Sequence, residues 1–178
     1  MFRITLGEYE LCCQSTGLPE MFAEYQKHAK LVETFESKDK QNLWCFTGVA
    51  CRGKWPFLVV AQQYSQDGGF NPELLLIPET NRLFLGAGIR LLAYDLSRPA
   101  RLWEDRTDCG LWHWKRHGQF VLMAAELELA AWDIQGNKLW SHFVEPPWDY
   151  SVTDEILRLD VMGNVSHLRL SNGSKIYE

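Results

Sequence analysis

Cys109, His113 and His117 follow the spacing C-x3-H-x3-H. Thiolate sulfur and imidazole nitrogen are the donors zinc prefers, and steps of four put side chains on one face of a helix or of a strand. Three such ligands would make the start of a metal centre, but no fourth is apparent close by in the sequence. The same segment, Trp112-His113-Trp114-Lys115-Arg116-His117-Gly118, also reads as a strand running into a turn. That reading separates the two imidazoles and leaves aromatic packing plus a surface histidine. It is the stronger of the two, so no metal is assigned and these three residues stand as candidates only.

Carboxylates come next. Asp95 and Asp133 sit at matching places in two similar segments, after Tyr94 and Trp132. Two carboxylates can divide acid and base work, but a repeated Asp at a strand end is better explained by bonding to the backbone of the turn that follows. Glu126 and Glu128 flank Leu127, and alternation puts both on the face opposite Leu127 and Leu129. They read as solvent-facing, with an acidic patch for a basic partner as the sharper alternative. The nucleophile motifs G-x-S-x-G, P-loop, H-E-x-x-H and strand-linked G-x-G-x-x-G do not occur. Gly86-Ala87-Gly88 reads as close sheet packing or a bulge. Cys45 and Cys51 lie in an apolar strand pair and read as core.

Aromatic residues are the remaining chemistry. Of eight tryptophans, six (Trp103, Trp112, Trp114, Trp132, Trp140 and Trp148) fall within 46 residues. Trp and Tyr anchor protein interfaces because they bury large areas at little entropic cost. Glu145-Pro146-Pro147-Trp148-Asp149-Tyr150 has the composition of a binding loop, with stiff prolines displaying aromatics between acids. The contact reading and a Trp148 folded back onto the core weigh about equally.

The elements that must position these residues repeat. Residues 83–95 and 121–133 align at an offset of 38, pairing Leu85 with Met123, Ile89 with Leu127, Leu91 with Leu129, Tyr94 with Trp132 and Asp95 with Asp133. A fainter third copy ends at Leu168-Arg169-Leu170, and a repeat of this length marks a stacked array. The first copy reads as strands over Arg82–Gly88, Ile89–Leu96 and Ala100–Glu104. The second reads as Gln119–Ala125, Leu127–Ile134 and Lys138–Phe143, and the third as Glu155–Met162, Val165–Leu170 and a short end at Lys175–Tyr177. Upstream, Leu43–Cys51 and Trp55–Gln63 read as a hairpin, Ser65–Glu73 as a loop and Leu74–Pro78 as a short strand. In residues 18–35, Leu18, Met21, Phe22, Tyr25, Ala29, Val32 and Phe35 recur at steps of three and four, which predicts one amphipathic helix. Ser37–Asn42 reads as a solvated connector, and residues 1–14 as an edge strand at most.

Each copy runs apolar strand, then Ala93-Tyr94-Asp95-Leu96 or Ala131-Trp132-Asp133-Ile134, then a turn, then Arg101-Leu102-Trp103 or Lys138-Leu139-Trp140. This pattern resembles the blades of β-propellers, most of all the quinoprotein type, over residues 74–178. The resemblance implies a fold and is nearly silent on function. Its quinone cofactor does not follow, and no cofactor is assigned. Propellers usually close with four or more blades. This chain offers between two and three plus the hairpin, so the expectation is a mainly β (α+β) domain of stacked antiparallel blade-like sheets, an incomplete propeller with one N-terminal amphipathic helix covering exposed edges. One domain, 1–178, would comprise a helix-containing segment (1–42), a hairpin and loop (43–73) and the blade-like repeats (74–178).

Composition narrows the function. With 46% hydrophobic residues, 13% aromatics and net charge −5, the chain builds a core and lacks the basic face of a duplex nucleic-acid binder. No uncharged run is long enough to span a bilayer. Five cysteines, odd in number and irregular in spacing, read as reduced thiols of a cytoplasmic protein. A small, acidic, Trp-rich chain without catalytic residues is similar in general character to bacterial immunity proteins. The expectation is a non-enzymatic protein-binding module, an inhibitor of a toxin partner, with a basic protein met through Trp148, Asp149, Tyr150, Glu126 and Glu128. The alternatives are a metal-binding protein using Cys109, His113 and His117, and a structural subunit that forms homo-oligomers by pairing open sheet edges.

Overall fold

The computed structural model describes residues 1–37, 42–65 and 69–177. Parts of the expected connector at 37–42 and of the loop at 65–73 lie outside the described residues. The chain forms four sheets in series. Sheet I contains β1 (Phe2–Leu6), β2 (Tyr9–Gln14), β3 (Leu31–Phe35), β4 (Leu43–Cys51) and β5 (Leu58–Tyr64), in the order β1-β2-β4-β5-β3, with α1 (Phe22–His28) between β2 and β3. Sheet II is the meander β6 (Glu73–Ile77), β7 (Arg82–Ala87), β8 (Arg90–Asp95) and β9 (Ala100–Arg106). Sheet III is β10 (Leu111–His117), β11 (Phe120–Ala125), β12 (Glu128–Asp133) and β13 (Lys138–Phe143), and sheet IV is β14 (Trp148–Thr153), β15 (Ile156–Val161) and β16 (Asn164–Arg169).

This is a mainly β, propeller-like stack of blades that stays open rather than closing into a ring. Three cores fill the gaps between successive sheets. Leu11, Val49 and Val60 meet Leu83, Leu85 and Leu92 between I and II. Phe84, Leu91 and Ala93 meet Trp114, Met123 and Trp132 between II and III. Leu122, Leu129 and Trp140 meet Trp148, Leu157 and Leu168 between III and IV. Strands buried on both faces read as continuous apolar runs, which explains Leu83-Phe84-Leu85 and Val121-Leu122-Met123.

The repeat is a four-strand blade in sheets II and III, not the three strands expected from sequence, and sheet IV has three strands with a bridge at Lys175. The missing first strands are β10 and β14. The segment 148–153 is a strand in which Trp148, Tyr150 and Val152 face sheet III while Asp149, Ser151 and Thr153 face away. The repeated K/R-L-W motif has a specific mechanical role. Ala93 pairs with Trp103 and Tyr94 with Arg101, so Leu102 is an inserted bulge residue; Leu139 is inserted in the same way between Lys138 and Trp140. Strict alternation would put Arg101 and Trp103 on one face. The bulge turns Trp103 to the opposite face, where its indole N–H donates to the Gly136 carbonyl of sheet III at 2.6 Å. Trp140 likewise donates to the Leu170 carbonyl of sheet IV at 2.6 Å.

The expected helix 18–35 is corrected. α1 covers only Phe22–His28, and Leu31–Phe35 is an edge strand parallel to β5. Leu31 and Phe35 pack toward sheet II, whereas Val32 packs toward α1. The β-branched and aromatic run Val32-Glu33-Thr34-Phe35 suits a pleated surface. Spacings of three, four and seven overlap with alternation over so short a run, so helical periodicity alone misled. Residues 1–14 supply two strands rather than one at most, and β2 is central enough to bury Leu11 completely.

The stack ends differently on its two sides. α1 lies on the outer face of sheet I, burying Tyr25 against Cys12, Phe46 and Val59. The outer face of sheet IV carries Asp149, Ser151, Thr153, Arg158, Asp160 and Arg169, interrupted by Ile156 and Val165. Gly86 allows a close approach between sheets II and III: a Cβ there would stand 2.0 Å from Leu111 Cδ2. Gly86→Ala is expected to lower stability by about 1–3 kcal/mol through overpacking, and Trp140→Phe by a similar ~1–3 kcal/mol because it leaves the buried Leu170 carbonyl unpaired. Urea unfolding of the two variants checks both values.

Candidate functional site

The seam between β10 and β14 gathers most of the residues singled out from sequence. A bulge at Trp112 leaves Leu111 opposite Ala125 and His113 opposite Ala124. His113, Lys115 and His117 therefore share the face of β10 that looks toward sheet IV. Tyr150 lies against both imidazoles: its hydroxyl is 3.0 Å from His113 Nε2, and its ring is 6.3 Å from that of His117. Burial lowers the pKa of both histidines, assisted by Lys115, and pushes the Tyr150 hydroxyl up to about 12. All three groups are thus held neutral near pH 7. His117 Nε2 is buried without a hydrogen-bond partner among the described residues.

Cys109, His113 and His117 do not converge. Tyr150 fills the space at the imidazoles. Cys109 lies in the connector before β10, where the Glu126 carboxylate accepts a hydrogen bond from its thiol and raises its pKa, the protonated form being a poor ligand. Among the described residues no group of three His, Cys, Asp or Glu side chains is placed to hold a metal ion.

Of the two readings of Trp148, the structure has the one folded back onto the core. Trp148 is only 8% exposed, stacks on Trp112 at 4.9 Å and donates its indole N–H to the Glu126 carbonyl at 2.9 Å. It is a core residue of the III–IV seam. Tyr150 is half-buried beside the histidines, and Asp149 alone of the three is exposed, on the outer face of sheet IV. Glu126 stands in the turn between β11 and β12 rather than on a strand. Glu128 accepts from Ser141 and approaches Lys138 at 3.7 Å, so it serves an internal polar cluster.

The carboxylates of the repeat bond their turns. Asp95 accepts from Ser97 N–H and hydroxyl at 2.8 and 2.6 Å, and Asp133 accepts from the Gln135 and Asn137 amides at 2.9 and 2.8 Å. Burial pushes the Cys13 and Cys45 thiols up to about 12, which removes thiolate character.

The surface feature that sequence reasoning missed lies at the opposite end of the stack. A groove of about 780 Å³ opens between the turns of sheets I and II, lined by Tyr9, His28, Lys30, Lys54, Trp55 and Asn81 among others. Trp55, in the β4–β5 turn, is 47% exposed and stacks on His28 at 4.5 Å with an interplanar angle of 16°. Its ring also meets buried Tyr25 edge-on at 5.9 Å. Beyond Trp55 a second depression of about 410 Å³ reaches the exposed Met21. Lys30, Arg52 and Lys54 are exposed and make no ion pair among the described residues; Glu8 is the one carboxylate lining the larger groove. An indole with a free face among unpaired cations can hold an apolar or aromatic side chain while the cations meet carboxylates. No sequence motif announces it, because the residues come from separate turns and from the end of α1.

No protein-family model matches the sequence, and no curated protein matches it. Among solved structures, the chain is similar to the computationally designed Ika4 protein at 15% identity and TM-score 0.45, covering 60% of this chain and 69% of that one. It is similar to BamB from Moraxella catarrhalis at 13% identity and TM-score 0.45, covering 78% of this chain and 45% of that one. A europium-containing methanol dehydrogenase matches at 12% identity and TM-score 0.44, covering 61% and 24% of the two chains. This chain therefore spans less than half the length of the latter two. No helix among the described residues is long and apolar enough to cross a membrane.

A pH dependence follows from the seam. The folded-state pKa values of His113 and His117 lie below their unfolded values, so the unfolded chain takes up protons first as pH falls. Stability is expected to be full above the unfolded imidazole pKa and to decline on acidification toward the folded values. His113→Gln with His117→Gln should flatten that decline in thermal melts between neutral pH and about pH 5; an unchanged slope would assign it to other groups.

Proposed function

We propose that this protein is a non-enzymatic protein-binding module whose docking face is the Trp55 groove. The observation that carries the reading is the half-exposed Trp55 indole, stacked on His28 in a groove that Lys30 and Lys54 also line, neither in an ion pair among the described residues. Binding energy at protein interfaces concentrates in aromatic and arginine anchors. The stacking holds the ring in place before any partner arrives, which lowers the entropic cost of docking. The segment that fits is acidic with an apolar side chain for the indole. The non-enzymatic part is supported by how the candidate groups are engaged among the described residues: Asp95 and Asp133 bond turns, and Cys13 and Cys45 are kept protonated.

The narrower form of this activity is an immunity protein that inhibits a toxin. It rests on the small, acidic, Trp-rich character of the chain, and it demands that the captured partner lose a toxic activity when bound.

The test is affinity capture from source-cell lysate followed by affinity measurement on the purified partner. Trp55→Ala is expected to weaken binding by about 30-fold or more, corresponding to ~2 kcal/mol, while its unfolding transition stays near that of the wild type. Replacing Lys30 and Lys54 by Gln should reduce the salt dependence of binding. A partner held with undiminished affinity by all of these variants would overturn the reading.

A further inference from the structure

We infer that two copies of this chain associate by pairing β1 with β1, joining their two five-stranded sheets into one. β1 is the terminal strand of sheet I, and all five of its residues are exposed. Phe2, Ile4 and Leu6 pair with Cys13, Leu11 and Tyr9, so their side chains share the face of sheet I that packs on sheet II, at exposures of 51%, 38% and 40%. Natural edge strands are usually blunted by proline, a bulge or outward charge. β1 has no proline and no bulge, and its one charge, Arg3, is on the opposite face and paired with Glu10 at 3.2 Å.

Three of the other terminal strands are protected. β9 carries Arg101, Glu104, Asp105 and Arg106, and Lys138 of sheet III reaches Asp105 at 2.8 Å. β3 is held to sheet II through Glu33, which accepts from the Tyr94 hydroxyl at 2.5 Å, and through Phe35 beneath the Arg90 and Arg101 guanidiniums. β16 is covered by the returning chain, with Lys175 opposite Leu168 and the Ile176 amide bonded to the His167 carbonyl at 2.8 Å.

The occupant is a second copy because the strand is complementary to itself. The two-residue turn Gly7-Glu8 makes Leu6 and Tyr9 the closing pair of the β1–β2 hairpin. Closing pairs exchange both backbone hydrogen bonds, so the polar groups of Leu6, Ile4 and Phe2 are directed at β2. Those of Arg3 and Thr5 are directed outward, with no backbone partner among the described residues. Antiparallel pairing about a two-fold axis at Ile4 then sets Arg3 opposite Thr5 of the second copy, where both donors and both acceptors match. Ile4 meets its own copy in a non-hydrogen-bonded pair, and Phe2 meets Leu6. No like charges face each other, and the apolar row becomes continuous across the axis. This association does not rest on the Trp55 reading, so Trp55→Ala should leave it intact.

Sedimentation tests the stoichiometry and cysteine cross-linking tests the register. The wild type should sediment as a dimer at high micromolar concentration, and Ile4→Lys, which places two ammonium groups face to face, should weaken dimerisation by about tenfold or more. To separate loss of pairing from loss of folding, Ile4→Cys is made in a Cys51→Ser, Cys109→Ser background. Facing Cα atoms in a non-hydrogen-bonded pair lie about 4.5 Å apart, within disulfide range. Ile4→Cys should therefore form an intermolecular disulfide under mild oxidation, and Arg3→Cys should not. A wild type that remains monomeric at these concentrations, or cross-linking at Arg3→Cys in preference to Ile4→Cys, overturns the proposal.

Discussion

One inserted residue in each of sheets II and III decides how sheets II, III and IV lock together. Leu102 in β9 and Leu139 in β13 are the extra residues of matching bulges, and each reverses the face of the tryptophan that follows. Without the insertion Trp103 would share the face of Arg101, toward sheet I, and the Gly136 carbonyl would lose its donor. With it, the indole crosses to sheet III, stacks on Trp132 at 5.5 Å and bonds the β12–β13 turn. The neighbouring links depend on the same approach: Thr80 bonds the Ile134 carbonyl at 2.6 Å and Arg82 bonds that of Gln135 at 2.9 Å. The buried Trp–carbonyl bond is directional where hydrophobic burial is not, so it fixes the relative position of two greasy sheets that area alone would let slide.

A stack built this way must be terminated. Each internal sheet is apolar on both faces, and a blade at either end would expose one of them. The chain solves the two ends by different means. Sheet I keeps an apolar outer face and covers it with α1, whose single buried residue, Tyr25, stacks on Phe46 at 5.7 Å. Sheet IV alternates, placing Trp148, Tyr150 and Val152 inward and polar residues outward. Repeat arrays need such caps for solubility. With both end faces occupied or polar, the surfaces left for recognition are strand edges and turn ends, which is where β1 and the Trp55 groove are found.

Much of this was readable in the sequence, for reasons that also explain what was not. The repeat, the turn-bonding aspartates and the tight packing at Gly86 depend on local spacing or on one residue type. Strand β14 was equally local: Trp148, Tyr150 and Val152 alternate with Asp149, Ser151 and Thr153. The two prolines before it drew attention to loop composition and away from that alternation. The segment 31–35 fits helical and strand periods alike, and only its parallel pairing with β5 decides between them. The meeting of Tyr150 with His113 and His117 is a contact between blades, and the Trp55 groove draws on several turns. Neither leaves a pattern along the chain.

Net charge misleads in a related way. The chain carries −5, which from sequence alone suggests a basic partner. Ion pairs take up carboxylates and cations together and leave the sum unchanged, but they remove both from the local field: Asp95 meets Arg82 at 3.0 Å, Asp105 meets Lys138, Glu79 meets Arg116 at 2.8 Å, and Glu104 meets Arg90 and Arg101. A group engaged at 3 Å presents a dipole to the outside, and beyond a Debye length of about 8 Å at physiological salt its field is largely screened. What a partner meets is the local balance at the face it touches. In the Trp55 groove that balance is Lys30 and Lys54 against Glu8. The sign of the sum and the sign of the proposed docking face are therefore opposite, and the local charge is the one that acts at contact distance.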